Sequence, residues 1–599
     1  MAGNKQPENK IAAVERPAAG GQANAPAYGS DAIAEALRAL DIPYVALTPG
    51  ASYRGLHDSL VNHLGNERPQ MLLCVHEEHA VALAHGYAKV TGKPLAAAVH
   101  SNVGLFHATM AVFNAWCDRM PVLVLGATGP LDADKRRPWI DWIHTARDQG
   151  SILRHYTKWD DQPGSPAAAR ESLFRATWLA RTAPAGPVYV NLDAEIQEAP
   201  LKEPLPPADP ARFMPTVTMA APVQQMALAA QMLKDAARPV ILMGRVSRDE
   251  AAWAKRLRLA EALGARVVTD LKVGAAFPTD HPLHLDAPAH FVGKDAARHL
   301  READVILSLD WVDLAGTLKA AFGTAPIAAK VIQVSLDHHL HNGWSMDYQA
   351  LPTVDLFLAG EPDAVVDGLQ DALAGQTRPA AAAGQAAADF AIGLDSGKIN
   401  VDQMGFALRR AVGDRPVSLL HLPLSWNGAV WPFRHPLDYI GTEGGGGIGG
   451  GPGIAVGAAL ALKDSGRLPV AVVGDGDFLM GATALWTAVH YRIPLLMVIA
   501  NNQSFFNDEV HQERVAVMRR RPVENKWIGQ RMDDPEMDLA GMARAQGADA
   551  FGPVKDAAAL SAVFAEAIAA VEAGRVAVVE VRVEPGYTPA MAGALTRKE

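Results

Sequence analysis

Cysteine is scarce in this chain, with only Cys74 and Cys117 among 599 residues. Two thiols cannot form a disulfide framework, and neither has a neighbour at metal-ligand spacing, so a stapled secreted domain and a zinc ribbon are excluded. Both sit in apolar surroundings and read as buried free thiols in a reducing compartment, with a catalytic thiol the weaker alternative. No uninterrupted apolar run is long enough to span a bilayer. An excess of basic charge is also missing. The net charge of −10 is spread along the chain, which argues against nucleic acid or an anionic membrane as the main partner. Residues 1–27 are polar and rich in Ala, Gly and Pro, without an apolar signal core. They read as a disordered leader, and the expected location is the cytoplasm. No internal repeat is visible.

What remains is an ordinary globular composition, 49% apolar and 20% charged, at a length that suggests about three or four domains. Short apolar runs alternate with helical patterns, which predicts an α/β protein of parallel sheets. A first domain is expected over 28–199, with a helix from Ser30 to Leu40 and strands at Tyr44–Thr48, Leu95–Val99, Val122–Leu125 and Pro187–Asn191. A proline-rich linker follows at 200–215. A middle domain at 216–374 has strand candidates at Val240–Met243, Arg266–Thr269, Val305–Leu309 and Val331–Val334. A low-complexity linker is expected at 375–399, and a last domain at 400–599.

The most telling stretch lies in that last domain. An apolar run, Val470 to Val473, breaks into Gly474-Asp475-Gly476. A helical pattern follows from about Met480 to Tyr491, then a second apolar run, Pro494 to Ala500, stops on Asn501-Asn502. Two buried parallel strands joined by a crossover would bring Asp475 and Asn502 out together at their carboxyl ends, where open α/β sheets bind ligands. A carboxylate, an amide oxygen and a nearby carbonyl form an all-oxygen set suited to a hard divalent ion. Glycines beside Asp475 let the backbone approach a phosphate closely. The pattern resembles the diphosphate-and-magnesium motif of thiamine diphosphate enzymes, GDG followed at fixed spacing by NN.

A second match lies far upstream, in Val75-His76-Glu77-Glu78-His79 through Gly86-Tyr87-Ala88. The same enzymes carry HE before a helix that ends in GYA, and the GYA marker selects Glu77 rather than Glu78 as the counterpart. The resemblance implies that Glu77 contacts N1′ of the cofactor's aminopyrimidine. It further implies Mg2+ on Asp475, Asn502 and the backbone oxygen of Ser504, and cofactor contacts from Gly474, Gly476, Asp477 and Ser425. The domain order would be pyrimidine-binding, Rossmann-like middle and diphosphate-binding, each a doubly wound parallel sheet, as in the acetolactate synthase and pyruvate decarboxylase group. The middle domain of that group sometimes holds FAD or another nucleotide. No GxGxxG follows a predicted strand in this one, so its ligand stays open.

The glycine run Gly441 to Gly453 satisfies GxGxxG almost by composition. A dinucleotide site would leave Asn501-Asn502 and Glu77 unexplained. By the family pattern, Ile448 falls where an apolar residue wedges beneath the thiazolium, the alternative being a plain core isoleucine.

Three local matches resemble the benzoylformate decarboxylase branch: Ala484 to Tyr491, Val99-His100-Ser101, and Phe277-Pro278-Thr279-Asp280-His281-Pro282. They imply His100 and His281 as catalytic histidines able to move protons; His76, His79 and His107 have weaker claims. Two departures matter. The first-loop serine of that branch matches Ser52 only with a shift. The segment after Asn502 is longer and more polar, and reads as a lid loop over a larger or anionic substrate, or as a solvated loop. The expected function is a Mg2+- and thiamine diphosphate-dependent non-oxidative decarboxylase of an aromatic or bulky 2-oxo acid. The alternatives are an acetolactate synthase-like carboligase, a 2-hydroxyacyl-CoA lyase and, more remotely, an inactive cofactor-binding regulatory protein. The partner is a small 2-oxo acid or acyl substrate. The resemblance also implies a homodimer or homotetramer with active sites at the subunit interface.

Overall fold

The structure is a computed structural model that describes residues 15–18, 25–337, 350–375 and 397–587. Most of the expected leader at 1–27 and of the linker at 375–399 lies outside the described residues. Glu15, inside that leader, is held in place: its carboxylate accepts from the Tyr491 hydroxyl at 2.9 Å and pairs with His490 at 3.0 Å. The chain divides into two compact units. One comprises Met1–Thr216 with Val456–Leu460 and Thr483–Ile493, and the other holds Val217–Ala455, Ala461–Ala482 and Pro494–Glu599.

The first unit is built on a parallel sheet of β1 (Tyr44–Leu47), β2 (Gln70–Leu73), β3 (Leu95–Ala98), β4 (Val122–Thr128), β5 (Asp160–Asp161) and β6 (Val188–Asp193), in the order β2-β1-β3-β4-β6-β5. Every residue of β3, β4 and β6 is buried, as expected for strands covered by helices on both faces. Strand β2 and the short β5 escaped the sequence reading because neither is a clean apolar run. Strand β2 is added on one side of β1 and β3 on the other, so the loops after β1 and β3, Thr48 to Ser52 and Val99 to Ser101, leave the sheet at a topological switch point. The segment read as a plain linker, 200–215, contains a short helix, Pro210–Phe213, started by Asp209 as N-cap and Pro210 at the first turn.

The second unit holds two parallel sheets. One has β7 (Pro239–Met243), β8 (Arg266–Val268), β9 (Val305–Leu309), β10 (Lys330–Val334) and β11 (Leu356–Leu358), ordered β11-β10-β9-β7-β8. The other has β12 (Val417–His421), β13 (Leu468–Gly474), β14 (Leu495–Asn501), β15 (Asp549–Val554) and β16 (Val576–Arg582), ordered β12-β13-β14-β16-β15. A shared core joins them. Trp253, Leu271 and Ala275 pack with Leu419, Phe433 and Tyr439, and the Tyr439 hydroxyl donates to the Leu271 carbonyl at 2.7 Å.

Strands β13 and β14 pair in register, Gly474 opposite Ala500. Asp475 and Asn501-Asn502 therefore leave the sheet side by side. The single helix expected from Met480 to Tyr491 is two, Asp475–Gly481 and Ala484–His490. Gly481 marks the break: a Cβ there would lie 2.3 Å from the Gly449 carbonyl oxygen. The segment read as a loop after Asn502 is largely helical, Phe506–Met518. Among the described residues no helix is long and apolar enough to cross a membrane.

Candidate active site

In the first unit, three strand ends carry the polar groups. Glu77 follows β2 as the first residue of the helix Glu77–Thr91, and His76 caps that helix by accepting from Glu78 N at 3.2 Å. A carboxylate is favoured there by the exposed N–H groups of the first turn. Glu77 is 8% exposed, and its Oε2 lies 3.0 Å from His107 Nδ1. The helix Ser101–Cys117 approaches so closely that a Cβ on Gly104 would lie 2.9 Å from Glu77 Oε1. The His76 and His107 rings stack at 4.9 Å, and one donor atom from each of His76, Glu77 and His107 falls within 4.8 Å of the others, close enough for a single ion. Burial, reinforced by His107, holds His76 below its ordinary range. Burial and His76 push His79 down to about 4.

His100 follows β3. Its Nδ1 lies 2.9 Å from the Ser52 hydroxyl, which the short turn Ala51–Tyr53 after β1 presents. Gly50 makes room, since a Cβ there would sit 2.4 Å from the imidazole. Ser101 holds a left-handed φ of 54°, uncommon for a residue with a Cβ, and its hydroxyl donates to the His144 carbonyl. Burial, and then the neighbouring His144 ring at 4.7 Å, lower the His100 pKa, so the ring is neutral near pH 7. Ser52, which the sequence aligned only with a shift, is thus the hydroxyl that meets His100.

In the second unit, Ser425, Ile448, Gly474, Asp475, Gly476, Asp477, Asn502 and Ser504 all line one cavity of about 360 Å³. Ile448 is 48% exposed, so it is a lining residue and not part of the core. Asp475 Oδ1 accepts from Gly476 N at 2.9 Å, while its buried Oδ2 has no partner. Asp477 Oδ1 accepts from Gly449 N at 2.6 Å, and its Oδ2 is likewise buried without a hydrogen bond. Burial pushes both carboxyls up, against backbone N–H groups at Asp475 and the His421 charge at Asp477. Asn502 Oδ1 accepts from Ser504 N at 2.8 Å, and the Ser504 hydroxyl donates to Glu509 at 2.6 Å.

Buried carboxylate oxygens without donors are costly unless a cation or donor completes them. The donor set is all oxygen beside Asp475 and Asn502, with glycine backbone alongside, and so fits a hard divalent ion.

Three further lining residues escaped the sequence reading: His290, His421 and Glu443. His421 ends β12 and donates from Nδ1 to the Val472 carbonyl at 3.0 Å, with Nε2 3.1 Å from Glu443 and 3.8 Å from Asp477. Burial pulls it down, but Glu443 and Asp477 outweigh that and push its pKa up to about 9. Burial instead lowers His290 to about 4. A polar residue closing an apolar run was the available signal for His421, the same one that marks Asp475.

His281 is not among the lining residues of this cavity. Its Nδ1 accepts from Leu283 N at 3.2 Å, its Nε2 lies 3.4 Å from Glu261, and its ring meets Phe277 edge-on, all within the middle sheet's surroundings. Those contacts place it at a turn outside the Asp475 cavity. The thiols are free, but only Cys74 is buried, Cys117 being half-buried. At the carboxyl edge of the middle sheet, Arg245 pairs with Asp337 at 2.7 Å around a space of only about 20 Å³.

Three family models match the chain in order: the N-terminal TPP binding domain of thiamine pyrophosphate enzymes over residues 28–152, their central domain over 226–360, and their C-terminal TPP binding domain over 424–581. The chain is 24% identical to a probable acetolactate synthase large subunit of Methanocaldococcus jannaschii, over 80% of each chain. It is also 24% identical to benzoylformate decarboxylase of Pseudomonas aeruginosa, over 72% of this chain and 79% of that one. The crystal structure of benzoylformate decarboxylase from Polynucleobacter necessarius superposes with a TM-score of 0.77 at 20% identity, covering 94% of this chain and 99% of that chain.

Proposed function

We propose that this chain, which belongs to the thiamine pyrophosphate enzyme family, is a Mg2+-dependent non-oxidative decarboxylase of an aromatic or otherwise bulky 2-oxo acid. When bound, thiamine diphosphate supplies the electron sink for cleaving a bond next to a carbonyl. Asp475, Asn502 and the Ser504 backbone would hold the metal. Gly474, Gly476, Asp477 and Ser425 would line the diphosphate, and Ile448 would support the thiazolium. Glu77 would hold a proton at the aminopyrimidine, kept in place by the His107 hydrogen bond and the bare face of Gly104.

The observation that carries the decarboxylase reading is the Ser52–His100 hydrogen bond at the switch point of the first sheet. Loss of CO2 leaves a carbon that must be protonated before an aldehyde can depart. A neutral imidazole bonded to a hydroxyl can take up and return such a proton. A carboligase gains nothing from that step, since its carbon must meet a second carbonyl. The second reading, an acetolactate synthase-like carboligase, is supported by an identity to an acetolactate synthase equal to that with benzoylformate decarboxylase.

A screen of 2-oxo acids with thiamine diphosphate and Mg2+, following CO2 and products separately, decides between them. Free aldehyde with CO2 supports the decarboxylase. A hydroxyketone with CO2, or cleavage without CO2, contradicts it. The interface placement of the sites is tested by mixing inactive Glu77→Gln chains with inactive Asp475→Ala chains. Shared sites return part of the activity after subunit exchange, and no recovery after confirmed exchange argues against them.

A further inference from the structure

Beside the acidic cavity, the last sheet carries a second opening of opposite character. It measures about 320 Å³ and is lined by Lys398, Asn502, Gln503, Arg531, Lys555 and Arg582, with Asp533 and Glu584 as its acidic members. It forms where the carboxyl ends of β14 and β16 meet, Asn501 opposite Arg582, the edge at which parallel sheets take ligands. Four cations face two carboxylates in this lining, in a chain whose net charge is −10.

The cations are paired, but loosely. Lys555 shares Glu536 with Arg582, at 58% and 48% side-chain exposure for Lys555 and Glu536, and Lys398 meets Glu584 at 82% and 52%. Exposed pairs of this kind contribute only about 0–1 kcal/mol each, so exchanging the carboxylate for another anion costs little. Arg582 is different. Nη2 is paired with Glu536, while Nη1 is buried with no hydrogen-bond partner. Because Nη1 is buried, an anion in the pocket would draw on Nη2, in exchange for the half-exposed Glu536 carboxylate.

We infer that this basic pocket binds the phosphate group of a small molecule, at a site that adjoins the Asp475 cavity and shares Asn502 with it. The volume is at the lower end of ligand pockets and suits a phosphate monoester of a few carbons, not a nucleotide. The pocket is also wired to its neighbour. Arg531 grips Glu509 at 2.9 Å, Glu509 accepts from the Ser504 hydroxyl, and the backbone of Gln530 and Met532 pairs with Phe505 and Gln503. An anion drawing on Arg531 therefore loosens the group that fixes Ser504.

The test is a calorimetric titration of the full chain, loaded with thiamine diphosphate and Mg2+ so that the other cavity is filled. It is run at low ionic strength with inorganic phosphate and separately with glycerol phosphate. It reads binding and not turnover, so its result stands apart from the proposed activity. One phosphate per chain is expected, with affinity falling roughly tenfold in Arg582→Gln and by less in Lys555→Gln, whose exposed side chain can be changed without disturbing the fold. Tighter binding of glycerol phosphate identifies a phosphate ester as the ligand, and tighter binding of inorganic phosphate identifies the free anion. No saturable binding, or affinity that is unchanged in both variants, overturns the proposal.

Discussion

Glu77 and Asp475 each open a helix after a parallel strand, one at the edge of its sheet and one inside it, and their surroundings are opposite. Each is a buried acid that follows a parallel strand and opens a helix, Glu77 after β2 and Asp475 after β13. Around Glu77 the protein supplies imidazoles: His107 hydrogen-bonded to it, His76 stacked on His107. Around Asp475 it supplies more acid, with Asp477 and Glu443 lining the same cavity, and leaves the Oδ2 atoms of both aspartates without a hydrogen bond, His421 approaching only that of Asp477. On the proposed function, the first arrangement would serve a proton and the second would be completed by a cation. Position on the fold is therefore a poor guide to the role of a carboxyl, and the polar atoms within about 3 Å decide it.

Breaking the acidic side should have the largest effect. Asp475→Ala removes a proposed metal ligand and should weaken Mg2+-dependent retention of thiamine diphosphate by more than roughly a hundredfold, since even indirect supporting groups cost about 10–100-fold. Equilibrium dialysis of cofactor with and without Mg2+ reads this directly, and unchanged retention would remove Asp475 from the metal site.

Disturbing the other carboxyl without removing it should cost less. Gly104→Ala places a methyl 2.9 Å from Glu77 Oε1 and must push that side chain aside. Turnover should fall about tenfold while cofactor affinity holds, because a displaced catalytic group loses orientation and not binding. A loss of affinity matching the loss of rate would mean that Gly104 serves packing alone.

The smallest effect is one of pH, on the cofactor-free protein. His421 has a folded pKa raised to about 9 by Glu443 and Asp477, against an ordinary imidazole value near 6.5. Its contribution to stability is therefore complete below about pH 6.5 and is lost as pH rises through 9. The melting-temperature advantage of the wild type over His421→Gln should shrink across that window. An advantage that grows toward pH 9 would show that the ring is buried neutral.

How much of this was legible in the chain depends on the kind of signal. Asp475 and Asn502 were visible because each ends a run of fully buried strand residues, and the fold class followed from the same runs. His421 offered the identical signal at the end of Val417–Leu420, but without a familiar motif beside it. The His107–Glu77 and Ser52–His100 pairs could not be read at all. Each joins side chains from two different loops or helices, and pairing of that kind is a property of the sheet order. The helix Phe506–Met518 was taken for a loop because its sequence, FNDEVHQERVAVM, is largely polar and leaves few apolar positions to mark a face. His281 shows the limit of a local match, since a motif gives no distance and the fold sets this ring at a turn, away from the Asp475 cavity.

The central claim is that the two carboxyls divide the work, with Asp475 retaining the cofactor and Glu77 activating it. The most direct measurement is the hydrogen–deuterium exchange rate at C2 of bound thiamine diphosphate in Glu77→Gln, alongside the cofactor affinity of the same variant. The account predicts affinity within about tenfold of the wild type and exchange slowed by roughly a hundredfold or more, the usual range for losing a proton-transfer group. Exchange at the wild-type rate in a Glu77→Gln protein that still holds its cofactor would contradict it.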